Sequence, residues 1–275
     1  MKSGTILLSH GAGGKLSHRL IQDVFLKAFR NPFLEPLNDQ AVFPSPGKRL
    51  AFTTDSYVVS PIFFPGGDIG KLSVCGTIND LAVGGATPLY MSASFIIEEG
   101  LALEELTKVV ESMANTALSA GVKIVTGDTK VVEKGKADRL FINTAGVGVI
   151  PDGVQVGPSF MEPGDAVIIS GTVGDHGVSV MRERGMIALD VDVVSDCAPL
   201  HELASAVIST GFVKAMRDPT RGGLITTLNE LALSSGHGIL VKEEKIPVKE
   251  EVRGVCEILG FDPMYLANEG KMICI

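Results

Sequence analysis

A chain of 275 residues, 45% hydrophobic and 20% charged, is long enough for two ordinary domains with a sizeable core. Its 24 basic and 32 acidic residues give a net charge of −8, which argues against nucleic acid or an anionic membrane surface as the main partner. A phosphate ligand held by backbone amides and a metal stays open, and no apolar run is long enough to span a bilayer.

The N-terminus carries only a short apolar patch and makes a poor signal peptide. The loop Ser9-His10-Gly11-Ala12-Gly13-Gly14-Lys15 then opens a helix, in which Leu16, Leu20, Ile21, Val24, Phe25 and Ala28 recur at helical spacing. Such a loop exposes backbone N–H groups to phosphate, although its spacing matches neither a Walker A loop nor a dinucleotide fingerprint. Residues 31–49 read as loop, with a short strand edge at 37–42, where Asp39 is either a turn carboxylate or a cation ligand.

An apolar strand over 50–54 ends at Asp55. A helix over 69–84 follows, with Asp68 as its N-cap. It reads as buried, yet it carries Asn79 and Asp80. A strand over 90–97 leads to a helix over 103–120, with Leu106, Val109, Val110, Met113 and Ala117 on one face and Gly121 as its stop. Strands over 122–125 and 141–150 flank Gly127-Asp128-Thr129-Lys130. The order β-α-β-α-β-β predicts an α+β layer with helices on one face of a sheet.

Residues 151–163, rich in Gly and Pro, read as a boundary between domains over 1–150 and 151–275. Beyond it the pattern predicts strands over 165–170, 239–242, 264–266 and 271–275, and helices after the glycine turn at 171–177 and over 200–209, 224–234 and 248–259.

Asp55, Asp80 and Asp128 each sit at the end or interior of an apolar element, with Asp39 a weaker fourth member. Hard carboxylate oxygens around one cavity suit Mg²⁺, and Asn79 can add a carbonyl oxygen. Lys130, two residues past Asp128, is placed to reach a phosphate as a point charge. Singly, each aspartate reads as a strand-end cap; as a set, with a lysine and glycine-rich loops, they favour a metal–phosphate site. Asp175-His176 is a candidate dyad or a capped loop pair. Arg217 and Arg221 either clamp phosphate at a helix N-terminus or pair with nearby acids. The four cysteines form no CxxC pair, which points to neither zinc nor a disulfide framework and makes a reducing cytoplasm the simplest setting. Cys75 and Cys256 read as core, and Cys197 as a loop residue.

The runs SHGAGGK, TTDSYVVSPIFFPGGDIGKLSVCGTINDLAVGGA, IVTGDTKVV, FINTAGVGVI, ISGTVGDHG, VSDCAPL, RDPTRGG and ANEGK together resemble the HypE family of hydrogenase maturation factors, over nearly the whole chain. That family is related to aminoimidazole ribonucleotide synthetase, selenophosphate synthetase and thiamine-monophosphate kinase. The resemblance implies a two-domain α+β fold of the aminoimidazole ribonucleotide synthetase type, whose N-terminal domain forms a β-barrel with a dimer mate. It implies ATP and Mg²⁺ as cofactors, Asp39, Asp55, Asp80 and Asp128 as metal ligands, Gly13 and Gly14 as a mobile loop, and Asn79 and Lys130 at the nucleotide. Lys130 and Asp80 are the implied catalytic residues.

The reaction so implied dehydrates an S-carboxamide, delivered by HypF to a C-terminal cysteine, to a thiocyanate. The cyanide then passes to iron on a HypC–HypD complex. The family's acceptor cysteine ends a Pro-Arg-Ile-Cys tail, and this sequence stops at Met272-Ile273-Cys274-Ile275. The expectation is therefore a truncated second domain, a Cys274 that is not the acceptor, and a chain unable to complete the dehydration on itself. Rival readings are a selenophosphate synthetase, which would need a reactive cysteine in the His10-Gly11-Ala12-Gly13 loop, a thiamine-monophosphate kinase, and a nucleotide-gated scaffold for hydrogenase assembly.

Overall fold

The computed structural model describes residues 4–38, 40–186 and 192–275. A continuous helical run comes first: α1 (Lys15–Leu20), a π-helical stretch (Ile21–Leu26) and α2 (Lys27–Phe29). Its apolar stripe buries Leu20, Val24, Phe25 and Phe29, and the Phe25 ring lies 4.8 Å from that of Phe95. Next come β1 (Leu50–Tyr57), a small hairpin of β2 (Phe63–Phe64) and β3 (Gly67–Asp68), then α3 (Ile69–Val83), β4 (Thr87–Glu98), α4 (Leu103–Ser119), β5 (Lys123–Val132) and β6 (Leu140–Val149). Apart from the hairpin, this is the expected β-α-β-α-β-β order.

The long strands form one sheet in the order β1-β6-β4-β5, with β4 and β5 parallel and the other neighbours antiparallel. Alternation along β6 buries Leu140, Ile142 and Thr144 beneath the helices, which cover one face. The other face is uncovered: Phe52 is 71% and Val58 63% exposed. Within one chain the sheet stays open, and the described residues close no barrel.

Asp68 caps α3, its Oδ1 accepting from the Gly70 and Lys71 amides at 2.7 and 3.1 Å. Every residue of α3 except Lys71 and Asp80 is buried. A helix apolar all round needs cover on all sides. The sheet and α4 supply part of it. The second unit supplies the rest, since Ala82 and Val83 pack against Leu200, Ala204, Met216 and Met272.

That unit contains β7 (Ile168–Ile169), α5 (Asp175–Glu183), α6 (His201–Ser209), β8 (Met216–Arg217), α7 (Gly223–Ser235), α8 (Glu250–Leu259) and β9 (Ile273–Cys274). Its short strands pair antiparallel in the order β7-β9-β8. Three strand expectations fail. Residues 239–242 are apolar but find no partner, and Leu240 is 86% exposed; strand propensity without a neighbouring edge makes no ladder. Residues 264–266 fall in a 3₁₀ turn, because Asp262 caps Met264 N at 2.9 Å and Pro263 fixes the first φ. The described part of 37–42 is not strand. The strand expected over 165–170 shortens to Ile168–Ile169.

Candidate functional site

Partners across a ladder share a face, so the register settles where each aspartate sits. One row runs Asp55, Thr144, Ala93, Gly127; the next runs Ser56, Asn143, Ser94, Asp128. Thr144 is buried against α3, its Oγ1 lying 2.5 Å from Thr77 Oγ1. Asp55 therefore belongs to the helix side of β1, at one edge of the sheet. Asp128 belongs to the open side of β5, at the other edge. Three strand spacings, roughly 14 Å, separate the two edges. The three aspartates do not meet in one pocket of this chain. Asp55 and Asp80 converge, while Asp128 stands apart with Lys130, 3.3 Å away in an exposed ion pair. Asp39 lies outside the described residues.

Asp80 is one of the two residues of α3 that are not buried, and its Oδ2 accepts from Thr53 Oγ1 at 2.9 Å. Burial pushes its carboxyl above the ordinary range and Asp55 adds to this, against the Thr53 hydrogen bond and the Arg217 charge. The second unit brings two further acids. Asp218 is pushed up to about 6, chiefly by burial and then by Asp80 and Asp55, with Arg217 opposing. Glu269 is pushed well above its usual value by burial, then by Cys197, Asp218, Asp196 and Asp55. Sequence reasoning assigned Asp218 and Glu269 no role. The available signal was their place in RDPTRGG and ANEGK, two polar turns inside an apolar unit. Asn268 ties these turns together: its Nδ2 donates to Pro219 O at 3.0 Å, and its Oδ1 accepts from Gly174 N at 2.8 Å.

Four carboxylates thus lie near enough to act on one another across the seam between the units, with Arg217 as the cation acting on Asp80 and Asp218 and itself ion-paired to Glu230 at 2.9 Å. The donor set is hard, mutually repulsive and short of positive charge, which fits a divalent cation. Among the described residues no three such side chains are close enough to hold one ion by themselves. Mg²⁺ takes one or two carboxylates from a protein and completes its shell from phosphate and water.

Lys130, Asp128 and Gly13 line a separate cavity of about 480 Å³, whose wall includes Phe25, Phe95 and Ile124. The glycine loop folds back on its own helix here. Gly13 N donates to Ser17 Oγ at 2.9 Å, Gly13 has φ +80°, and Gly14 is the N-cap of α1.

Asn79 is buried in the seam and bonds backbone there, which leaves its carboxamide no atom free for a cation or nucleotide. It is 1% exposed, and its carboxamide accepts from Leu200 N at 2.7 Å and donates to the carbonyls of Ala198 and Glu269 at 3.1 and 3.3 Å. Asp175 and His176 form no dyad. Asp175 pairs with Thr172 and Lys249, whereas His176 Nδ1 lies 2.9 Å from Ser195 Oγ. Burial lowers the His176 pKa to about 4, with Arg184 adding to the effect, so the ring stays neutral. Cys197 is not an open loop thiol: it is buried against Cys75, and that contact and burial push its pKa well up. Cys75 and Cys256 are core, as expected. No helix among the described residues is long and apolar enough to cross a membrane.

Two family descriptions match the chain: AIR synthase related protein, N-terminal domain, over residues 37–150, and its C-terminal domain over residues 162–275. The chain is 54% identical to carbamoyl dehydratase HypE of Rhizobium leguminosarum bv. viciae, covering 99% of this chain and 79% of that protein. It is 51% identical to HypE of Escherichia coli K12, over 98% of this chain and 81% of the relative. Among solved structures, hydrogenase maturation protein HypE in complex with ATP superposes with a TM-score of 0.95 at 52% identity, covering 98% of this chain and 81% of the other. The HypE of a HypE–HypF complex gives 0.80 at 51%, covering 93% and 83%. Thiamine-monophosphate kinase from Aquifex aeolicus, 18% identical with a TM-score of 0.65 over 95% of this chain and 89% of that one, shares the fold. The chain has the two-domain α+β fold of the AIR synthase related proteins and belongs, within them, to the HypE carbamoyl dehydratase family.

Proposed function

We propose that this protein catalyses the ATP-dependent dehydration of an S-carboxamide to a thiocyanate, supplying cyanide for hydrogenase iron. The observation that carries the reading is the convergence of Asp55, Asp80, Asp218 and Glu269 at the seam. Likeness to a HypE structure that contains ATP supports the nucleotide.

The chemistry needs three things of the chain. The amide oxygen is a poor leaving group until it carries a phosphoryl group, so ATP must be held beside it. The oxygen attacks the γ-phosphorus and ADP departs; the nitrogen then loses its protons, the C–O bond breaks, and phosphate carries the oxygen away. Glu269, whose burial makes its carboxylate more basic than usual, is suited to take a proton from that nitrogen. Asp80, with Asp55 or Asp218 beside it, would hold Mg²⁺, which when bound neutralises phosphate charge. Lys130 and the Gly13–Gly14 loop, apart from the seam within one chain, would meet phosphate across the dimer, from the second copy, as a point charge and as backbone donors.

The reading extends to assembly. Division into an N-terminal ATP-binding and dimerisation domain over 1–150 and a C-terminal α/β domain over 151–275 is supported by the four-stranded sheet in the first part and the separate three-stranded sheet in the second. The uncovered apolar face of β1-β6-β4-β5 suits closure of a β-barrel with a second copy. A HypF-type protein as carbamoyl donor follows from the relatives' complex. A HypC–HypD complex as cyanide acceptor and a cytoplasmic setting complete the proposal.

The test is mass spectrometry of an S-carbamoylated cysteine peptide incubated with the protein, with and without ATP and Mg²⁺. Loss of one water that needs both, and that disappears in Asp80→Asn and Lys130→Ala, is the expected result. Water loss without ATP, or none with it, refutes the reading.

A further inference from the structure

We propose that Asn79 is a positioning residue: it pins the backbone of Glu269 to α3 and so sets the spacing between the Glu269 and Asp80 carboxylates. The inference rests on the dehydratase reading and deepens it.

Glu269 is gripped at both ends of its backbone. Its N–H donates to Asp196 Oδ1 at 3.1 Å, and the next N–H, of Gly270, donates to Asp196 Oδ2 at 3.2 Å. Its carbonyl accepts from Asn79 Nδ2 at 3.3 Å and from Ala198 N at 3.4 Å. The Asp196 side chain is 1% exposed and lies 3.7 Å from Lys271 Nζ. A Cβ at Gly270 would run into the Asp196 carbonyl, so the turn closes this tightly only with glycine there.

Asp196, Ala198 and Leu200 all belong to the second unit, as Glu269 does. Of the hydrogen bonds to the Glu269 backbone, the one from Asn79 comes from the other side. Asn79 uses one acceptor and both donors, all on backbone, and a buried carboxamide so satisfied has little freedom to move. The next residue along the same rigid helix is Asp80. A single turn of α3 therefore carries both the pin for Glu269 and the carboxylate that must work with it. Without the pin, Glu269 would still be attached to Asp196, and the loop carrying both would be tied to the first unit by the 2.8 Å bond of Ser195 N to Pro65 O and by side-chain packing such as Cys197 on Cys75, leaving the Glu269 backbone less tightly placed relative to α3.

The variants Asn79→Ala, Glu269→Gln and their double, each assayed as the full chain on an S-carbamoylated cysteine peptide, decide the matter. A misplacement near 1 Å costs about a hundredfold in rate, so Asn79→Ala is expected to lower kcat by about that factor with the KM for ATP little changed. In the Glu269→Gln background it is expected to add nothing, because its effect runs through Glu269. Asn79→Gln, which keeps the carboxamide, should recover part of kcat. Amide hydrogen exchange gives a readout that needs no activity: in Asn79→Ala, exchange should quicken at 196–200 and 267–271 while α4 keeps its protection. The proposal is overturned if the two substitutions multiply, if only KM moves, or if exchange at 267–271 stays unchanged. An unsubstituted protein with no ATP-dependent water loss would refute the dehydratase reading, and exchange would still decide the pin.

Discussion

Thr53 Oγ1 donates a 2.9 Å hydrogen bond to Asp80 Oδ2, joining the sheet to the one carboxylate of α3. That bond lowers the Asp80 pKa against the burial that raises it. Thr53→Val keeps the shape and removes the donor. Asp80 should then hold its proton to higher pH and bind cation less well. One lost hydrogen bond, about 1 kcal/mol, corresponds to roughly a fivefold weaker Kd for Mg²⁺–ATP, measured by calorimetry. An unchanged Kd would show that Asp80 does not face the bound cation.

Asp218, held at about 6 in the folded protein, titrates near its ordinary value once unfolded. The folded state therefore binds this proton more tightly. Its stabilising contribution is full below about pH 4 and is lost as the pH rises through about 6. In cation-free buffer, urea denaturation should show stability falling over that window. Asp218→Asn should flatten the fall, and so should Mg²⁺, which replaces the proton as the compensating charge. A slope unaffected by Asp218→Asn would remove Asp218 from the cluster.

Phe52 stands on the open face of the sheet at 71% exposure, so a charge there costs little within one chain. Phe52→Glu should halve the mass measured by light scattering and leave the melting temperature of the monomer nearly intact. A wild-type chain that is monomeric at every concentration would contradict the barrel proposal.

Cys274 pairs with Ile168 and Met216 in the middle of a three-stranded sheet, and burial pushes its thiol pKa up. It should stay unmodified when a carbamoyl donor is supplied, as peptide mapping would reveal. Carbamoylation of Cys274 at a useful rate would make it an acceptor and overturn this assignment.

Periodicity and caps alone located α3, with Asp68 as its cap, α4, and part of every strand of the large sheet, but β1 runs on past Asp55 to Tyr57 and β5 through Gly127–Lys130 to Val132, because ladder pairing carries a strand beyond its apolar run. Those elements declare themselves because their patterns are local and their boundaries are written in Asp68, Gly121 and the glycine turns. The short strands of the second unit did not: each has two residues, and its existence depends on a partner far away in the chain. Asp55 and Asp80 were legible as acids in apolar company. That Asp128 falls on the opposite face follows from ladder register, which no single strand encodes. Likewise, no local pattern distinguishes an asparagine that binds a ligand from one that binds backbone. Asn79 became a seam residue, and Asp218 and Glu269 became neighbours of Asp80, only when the second unit closed over α3. Short-range spacing encodes which residues are amphipathic or capped; which charges meet is decided by the docking of units more than a hundred residues apart.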